Sequence, residues 1–279
     1  MSPIPDLPQI VLGAALALAV VMGAFAARAL TFSGAAAAFI LGTLVFGFGG
    51  LPWAVLLLTF FISSSLLSLL FKRRKSAGGM ENEKGSRRDA WQVLANGGIA
   101  GLMALISWRF PNSIIPWLAG AAALAAANAD TWATELGTLS RKDPVLITTG
   151  KSALRGTSGA VSLIGIAAST AGAVLIAAVF WIPAHFFGSN WSAGQYLWLT
   201  FAVCMGGLAG SLVDSLLGAT LQAVYYCPVC QKETEQHPLH HCHTQTTLVR
   251  GLNWLNNDWV NFFCTLSGAL IALIFYILI

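Results

Sequence analysis

Apolar runs long enough to cross a bilayer dominate the chain. They lie near 10–30, 34–49, 51–71, 90–108, 113–137, 158–182, 195–222 and 253–279, separated by shorter polar stretches. A helix needs roughly 20 apolar residues to cross about 30 Å of hydrocarbon. The pattern therefore predicts an all-α bundle of about eight transmembrane helices. The second run is short and rich in Gly and Ala, so it is expected to be tilted, kinked or only partly inserted.

Polar positions inside these runs are few and regularly spaced. Gly207, Ser211, Asp214, Gly218 and Gln222 fall on one face of a helix, with Ser215 beside Asp214. Arg88, Gln92 and Asn96 stack at the start of the fourth run, and Asn257 and Asn261 do so at the start of the eighth, next to Asp258. Within "ANADTWATELG" (127–137), Asp130 and Thr134 share one face, while Asn128, Thr131 and Glu135 share another. A helix that is polar on two sides cannot face lipid; it is surrounded by other helices or broken around a water-filled pocket. Small and amide side chains also serve as contacts between membrane helices. That reading suffices for the Gly and Ser positions and is even for the Asn and Gln positions. It fails for the carboxylates, because helix contact does not require a charge. A carboxylate at membrane depth costs about 3 kcal/mol and marks function by default. Four of the 11 acidic residues lie in or at the edge of an apolar run: Asp130, Glu135, Asp214 and Asp258.

Composition excludes a water-soluble fold. Of 279 residues, 56% are hydrophobic and only 9% charged, and the mean hydropathy is +0.72; soluble domains carry about 25% charged residues. A single transmembrane domain over 1–279 is expected, and no nucleic-acid partner. The first run has no Lys or Arg ahead of it and reads as a true span rather than a cleaved signal peptide.

Charge sets the expected orientation. The loop 72–89 holds seven Lys and Arg, and alternation places 138–157 and 223–252 on the same side. The positive-inside bias makes that side cytoplasmic, in a bacterial inner membrane, a thylakoid or an organelle envelope, with both termini opposite. Every polar cluster then falls toward the cytoplasmic end of its helix.

The connection 150–162 reads "GKSALRGTSGAVS". Lys151 and Arg155 precede Gly156, Thr157, Ser158 and Gly159 where a helix is expected to begin. Backbone N–H groups at a helix start suit an anion; the alternative is that Thr157 or Ser158 simply caps the helix. No P-loop is present, since its upstream glycine and preceding strand are missing. Carboxylates and a basic glycine turn at one membrane face suit magnesium and phosphates, because Mg²⁺ is usually held by one or two carboxylates plus substrate phosphates. On this reading Asp130 and Asp214 hold Mg²⁺ and nucleotide phosphates, and Lys151 and Arg155 neutralise the transferring group. Glu135 and Asp258 are metal ligands, supports for the ligands, or a base.

In 225–245, "YYCPVCQKETEQHPLHHCHTQ", Cys227 and Cys230 form a knuckle of zinc-ligand spacing, and Cys242 follows among His237, His240, His241 and His243. Three cysteines and one histidine, here His241, suit a structural Zn²⁺. The alternatives are a redox knuckle or a plain loop. Cys204 and Cys264 lie within spans and are expected to pack.

Five segments in order, "RDAWQVLANGG" (88–98), "ANADTWATELGTLS" (127–140), "GTSGAVS" (156–162), "GSLVDSLLGATLQ" (210–222) and "GLNWLNNDWVN" (251–261), resemble one membrane family. It is the family catalogued as domain of unknown function ninety-two, which takes in transmembrane protein 19 and a chloroplast phytyl-phosphate kinase. The resemblance implies a prenyl-phosphate kinase. A nucleoside triphosphate such as CTP would phosphorylate a lipid monophosphate such as phytyl phosphate, giving a prenyl diphosphate for tocopherol or phylloquinone synthesis. Asn96, Asn128, Asp130, Glu135, Gly156, Ser158, Asp214, Gln222, Asn257, Asp258 and Asn261 match the family's polar motifs. Two other classes compete: a CTP-dependent lipid cytidylyltransferase, and a transporter for an ion or lipid phosphate. A transporter predicts polar residues at the midplane and in both leaflets, whereas here they gather on one side.

Overall fold

The apolar runs fold as helices α1 (Leu7–Ala26), α2 (Phe32–Lys75), α3 (Ala90–Arg109), α4 (Ile115–Gly137), α5 (Leu163–Trp181), α6 (Ala193–Thr220) and α7 (Asn257–Ile277). A computed structural model of the chain describes residues 7–75, 87–181 and 192–278. Most of the basic cluster at 72–89 and of the connection 183–194 lies outside those residues. Among the described residues, six helices are long and apolar enough to cross a membrane. Leu, Ile, Val and Phe side chains stand exposed along them, as lipid-facing surfaces require.

The second and third predicted spans form one continuous helical assignment that turns at Gly50, where φ is 72° and ψ −166°. The chain doubles back there. Thr31 and Gly34, before the bend, and Ser64 and Ser65, after it, all meet Arg88. With α2 counted as two passes, the seven helices of the described residues make eight. Only glycine occupies this backbone region without strain, which costs other residues roughly 1–3 kcal/mol. Gly50→Ala is expected to lower stability by that amount in thermal unfolding of the detergent-solubilised protein.

α4 is the hub and packs against α2, α3, α5, α6 and α7. It is not among the six helices apolar enough to cross a membrane by composition, and Trp117–Ala129 are all buried. Its alanines let other backbones approach closely, as small residues do at membrane helix contacts. At one end of the bundle Trp53 packs edge-on to Trp117 at 5.1 Å, and Trp117 stacks on Phe180 at 5.7 Å. The polar residues collect at the other end. α1 begins and α7 ends at the aromatic end, since Gly13 meets Gly47, near the Gly50 bend, and Trp198 bonds Phe275.

Two connections carry short strands that an all-α reading lacks. β1 (Val145–Leu146) pairs with β2 (Ala160–Val161), and β3 (Val224–Cys227) lies between β4 (Lys232–Thr234) and β5 (Thr247–Arg250), all antiparallel. As a result α5 starts at Leu163 rather than near 158. Ser162, not Thr157 or Ser158, accepts from its first turn, through Gly165 N–H at 3.1 Å.

Candidate functional site at the polar end of the bundle

The register of α4, α6 and α7 places the central acidic residues. A Cβ at Gly206 would lie 3.3 Å from Ala122 Cβ, and one at Gly210 would lie 2.6 Å from Ala126 Cβ. α4 and α6 therefore run parallel and meet once per turn, and the next turn pairs Asp130 with Asp214. Asp214 accordingly lies within electrostatic reach of Asp130 and of Glu235. Its Oδ2 is sealed from solvent and has no hydrogen-bond partner among the described residues. α7 runs antiparallel: the carbonyl of Gly268 faces Gly206 and that of Cys264 faces Gly210. This brings Asn261 to the level of Asp214, and Cys264 feels both aspartates. Thr265 Oγ1 donates to Ala95 O at 3.1 Å, which fixes α3 beside α7 with Gln92 and Asn96 toward the same end.

The second polar face of α4 does different work. Asn128 is fully buried; its Oδ1 accepts from Ser63 at 2.9 Å and its Nδ2 donates to Gly172 O at 2.9 Å. It ties α2, α4 and α5 together. Thr131 Oγ1 donates to Ala127 O of its own helix at 2.8 Å. Glu135 is 3% exposed and accepts from Ser68 Oγ at 2.7 Å. Arg88 reaches Ser64 at 3.0 Å and Ser65 at 3.4 Å, over the rings of Phe60 and Phe61. Burial lowers the Arg88 pKa to about 10, and the Glu135 charge pulls the other way. Arg88 thus keeps its charge at neutral pH, and the Glu135 charge compensates that buried cation.

Three further residues act locally. Gln92 closes a capping box with Asp89, Asn96 Nδ2 donates to Gln92 O at 2.9 Å, and Ser215 Oγ donates to Ser211 O at 3.2 Å. Asn257 and Asp258 open α7, with Asp258 9% exposed, and the cap itself is Asn256.

The glycine turn is not a helix start, which corrects the expectation for Gly156, Thr157, Ser158 and Gly159. It folds over the end of α6. Gly156 and Gly159 have φ of 84° and 81°, and Gly159 lies directly on Ala219. Ser158 Oγ donates to Gln222 Oε1 at 2.6 Å, and Gln222 Nε2 donates to Glu235 Oε1 at 2.8 Å. Lys151 is exposed. Arg155 lies 3.9 Å from Asp143, with 44% and 70% exposure, and donates to Arg141 O at 3.2 Å. So exposed a pair contributes little stability, but it holds Arg155 to its own loop.

Two residues outside the sequence-based set belong here. Glu235 follows β4 and bonds Gln222. Arg250, at the end of β5, donates from Nη1 to Ala219 O at 2.7 Å, capping α6, while its Nη2 is buried without a hydrogen-bond partner. Charged residues in a polar loop carry no periodic signal, so nothing in the chain singled them out.

The loop 223–252 gathers a group that can hold a metal ion: Cys227, Cys230, His240 and Cys242, with ligand atoms all within 4.8 Å of one another. The histidine is His240, not His241. His240 Nδ1 lies 3.2 Å from Cys242 Sγ. His241 instead leans on the His240 ring at 3.9 Å, and its backbone N–H donates to Gln236 Oε1 at 2.8 Å. Hydrogen bonds from Thr244 and His240 draw the Cys242 thiol down to about 5.

Fold and site together define a polytopic membrane protein with paired carboxylates and a metal-ligand cluster at one end of its bundle. The chain belongs to the integral membrane protein DUF92 family, whose model matches residues 15–269. Protein PGR of Arabidopsis thaliana is 33% identical over 250 residues, covering 84% of this chain and 85% of that protein. An uncharacterised membrane protein of Methanocaldococcus jannaschii is 31% identical over 252 residues, covering 89% and 87%. Protein VTE6, chloroplastic, of Arabidopsis thaliana is 26% identical over 250 residues, covering 88% and 65%. No solved structure matches the chain.

Proposed function

We propose that the protein is a prenyl-phosphate kinase that transfers the terminal phosphoryl group of a nucleoside triphosphate, such as CTP, to a lipid monophosphate. The observation that carries this is the pairing of Asp130 with Asp214, whose Oδ2 is buried and unpartnered. Two adjacent carboxylates can share a cation, and an all-oxygen donor set is the kind magnesium takes. Asp130 and Asp214 would hold Mg²⁺, which when bound neutralises charge on the phosphates of the donor.

The acceptor phosphate is already an oxyanion, so it attacks the terminal phosphorus without a general base. A P–O bond to the acceptor forms as the bond to the nucleoside diphosphate breaks. Positioning and charge neutralisation carry such a step. Arg250, with its unpartnered Nη2, and Lys151 supply positive charge for the phosphates. Arg250 takes the place first expected for Arg155. The confinement of polar residues to one end of the bundle supports an enzyme over a transporter. The positive-inside bias puts that end in the cytoplasm or its organellar equivalent. Zinc is the ion that three cysteines and a histidine commonly take.

Incubating purified protein with phytyl phosphate and labelled CTP or ATP tests the reading. Label from the γ position on the lipid supports it. Label from the α position identifies a cytidylyltransferase, and no label on lipid contradicts phosphoryl transfer. Lys151→Ala is expected to slow transfer by about 10²-fold, the effect of losing one charged stabilising group; an unchanged rate removes Lys151 from the site.

A further inference from the structure

We infer that Cys227, Cys230, His240 and Cys242 hold a structural zinc whose task is to fix Glu235, and through it Gln222, as one wall of the Asp130–Asp214 site. The second half of this rests on the kinase reading; the first half does not.

The ligand atoms, all within 4.8 Å of one another, come close to a closed tetrahedral arrangement. Zn–S bonds of about 2.3 Å and Zn–N bonds of about 2.0 Å imply ligand separations of about 3.5–3.8 Å in a tetrahedron. Cys227 Sγ lies 3.5 Å from Cys242 Sγ, and His240 Nδ1 lies 3.2 Å from Cys242 Sγ. The backbone N–H of Cys230 points at Cys227 Sγ at 3.5 Å, as in a metal-binding knuckle. Four protein ligands leave no open position, so the ion is structural rather than catalytic.

The ribbon needs such a staple. Its strands β4, β3 and β5 have only 3, 4 and 4 residues, and so small a sheet is marginal without a metal or a packed face. Cys227 ends β3, and Glu235 directly follows β4, which pairs with β3 through Cys227 and Lys232. Glu235 accepts from Gln222 at 2.8 Å, Gln222 accepts from Ser158 at 2.6 Å, and Glu235 acts electrostatically on Asp214. A continuous path therefore leads from the metal to the glycine turn and the aspartate pair. Loss of the ion frees the strand that carries Glu235 and loosens the last turn of α6.

The full-length protein in detergent is assayed for bound metal, exchanged with Co²⁺ for its absorption spectrum, and followed by hydrogen exchange. One zinc per chain is expected, with a thiolate charge-transfer band and a tetrahedral d–d band after cobalt exchange. Cys230→Ser and His240→Ala lose the metal, and His241→Ala keeps it. Amides of 217–223 exchange about tenfold faster or more in Cys230→Ser, or in wild type stripped by chelator should that variant not fold. Glu235→Gln keeps zinc but lowers kcat with a changed dependence on Mg²⁺, which a merely structural residue would not alter. A metal-free wild type, or loss of zinc in His241→Ala but not in His240→Ala, overturns the centre. Unchanged exchange at 217–223 in the metal-free protein overturns the link to the site. Zinc and exchange results as expected, with no phosphoryl transfer by wild type, contradict the kinase reading alone.

Discussion

Asp214→Asn is expected to leave a folded protein that has lost phosphoryl transfer, by about 10³-fold or more. The size follows from a bound metal's contribution of several kcal/mol of transition-state charge stabilisation, each 1.36 kcal/mol being about tenfold in rate. The sign of the stability change separates catalysis from architecture. Asp214 stands beside Asp130 and Glu235 with its Oδ2 buried and unpartnered. In the metal-free protein, asparagine removes a like charge at almost no change in shape, so the thermal midpoint stays level or rises. Wild type, in contrast, gains stability on adding Mg²⁺, because a ligand that binds only the folded state stabilises it. A scaffold residue would show the reverse pattern, with lower stability and normal turnover. Thermal unfolding with and without Mg²⁺, beside a γ-label transfer assay, reads both.

Gly210→Val tests the scaffold beneath that pair. A Cβ at Gly210 would sit 2.6 Å from Ala126 Cβ and 2.7 Å from Cys264 O, so three helices touch there at once. Neither contact is the free end of a flexible side chain, and α6 must move away from α4 and α7. Overpacking of this kind costs roughly 3 kcal/mol or more. One turn above, the movement separates Asp214 from Asp130, so transfer falls with stability, unlike the aspartate variants. Gly98, with nothing within 4 Å of its added Cβ, is the control: Gly98→Ala should leave both unchanged.

The helical bundle was legible because lipid imposes a length and a polarity that no sequence can evade. The reversal at Gly50 falls between the second and third predicted spans, where "GFGGLPW" interrupts the run. The two polar faces of 127–137 were also legible, and they do separate: Asp130 turns toward α6, while Asn128 meets α2 and α5. What periodicity cannot say is which neighbour each face meets. Only the fold shows that Glu135 meets Ser68 of α2 and acts on Arg88.

The glycine turn misled for a related reason. Small residues ahead of an apolar run read as a helix start, but φ near +80° at Gly156 and Gly159 and the β1–β2 pairing carry the chain past α6 first. In the Cys/His loop the spacing of Cys227, Cys230 and Cys242 pointed to a metal centre. The choice among four histidines depended on the fold of the ribbon, in which the Leu239–Gln245 bridge and the His240 N–H bond to Thr244 O bring His240 inward. Glu235 and Arg250 are brought to the site only by that ribbon, so their roles exist in three dimensions alone.

Binding of Mn²⁺ in place of Mg²⁺, followed by electron paramagnetic resonance on purified protein with nucleotide present, addresses the aspartate pair itself. One Mn²⁺ per chain is expected in wild type and in His241→Ala, and its loss is expected in both Asp130→Asn and Asp214→Asn. Retention of that Mn²⁺ in either aspartate variant would contradict a cation shared between α4 and α6.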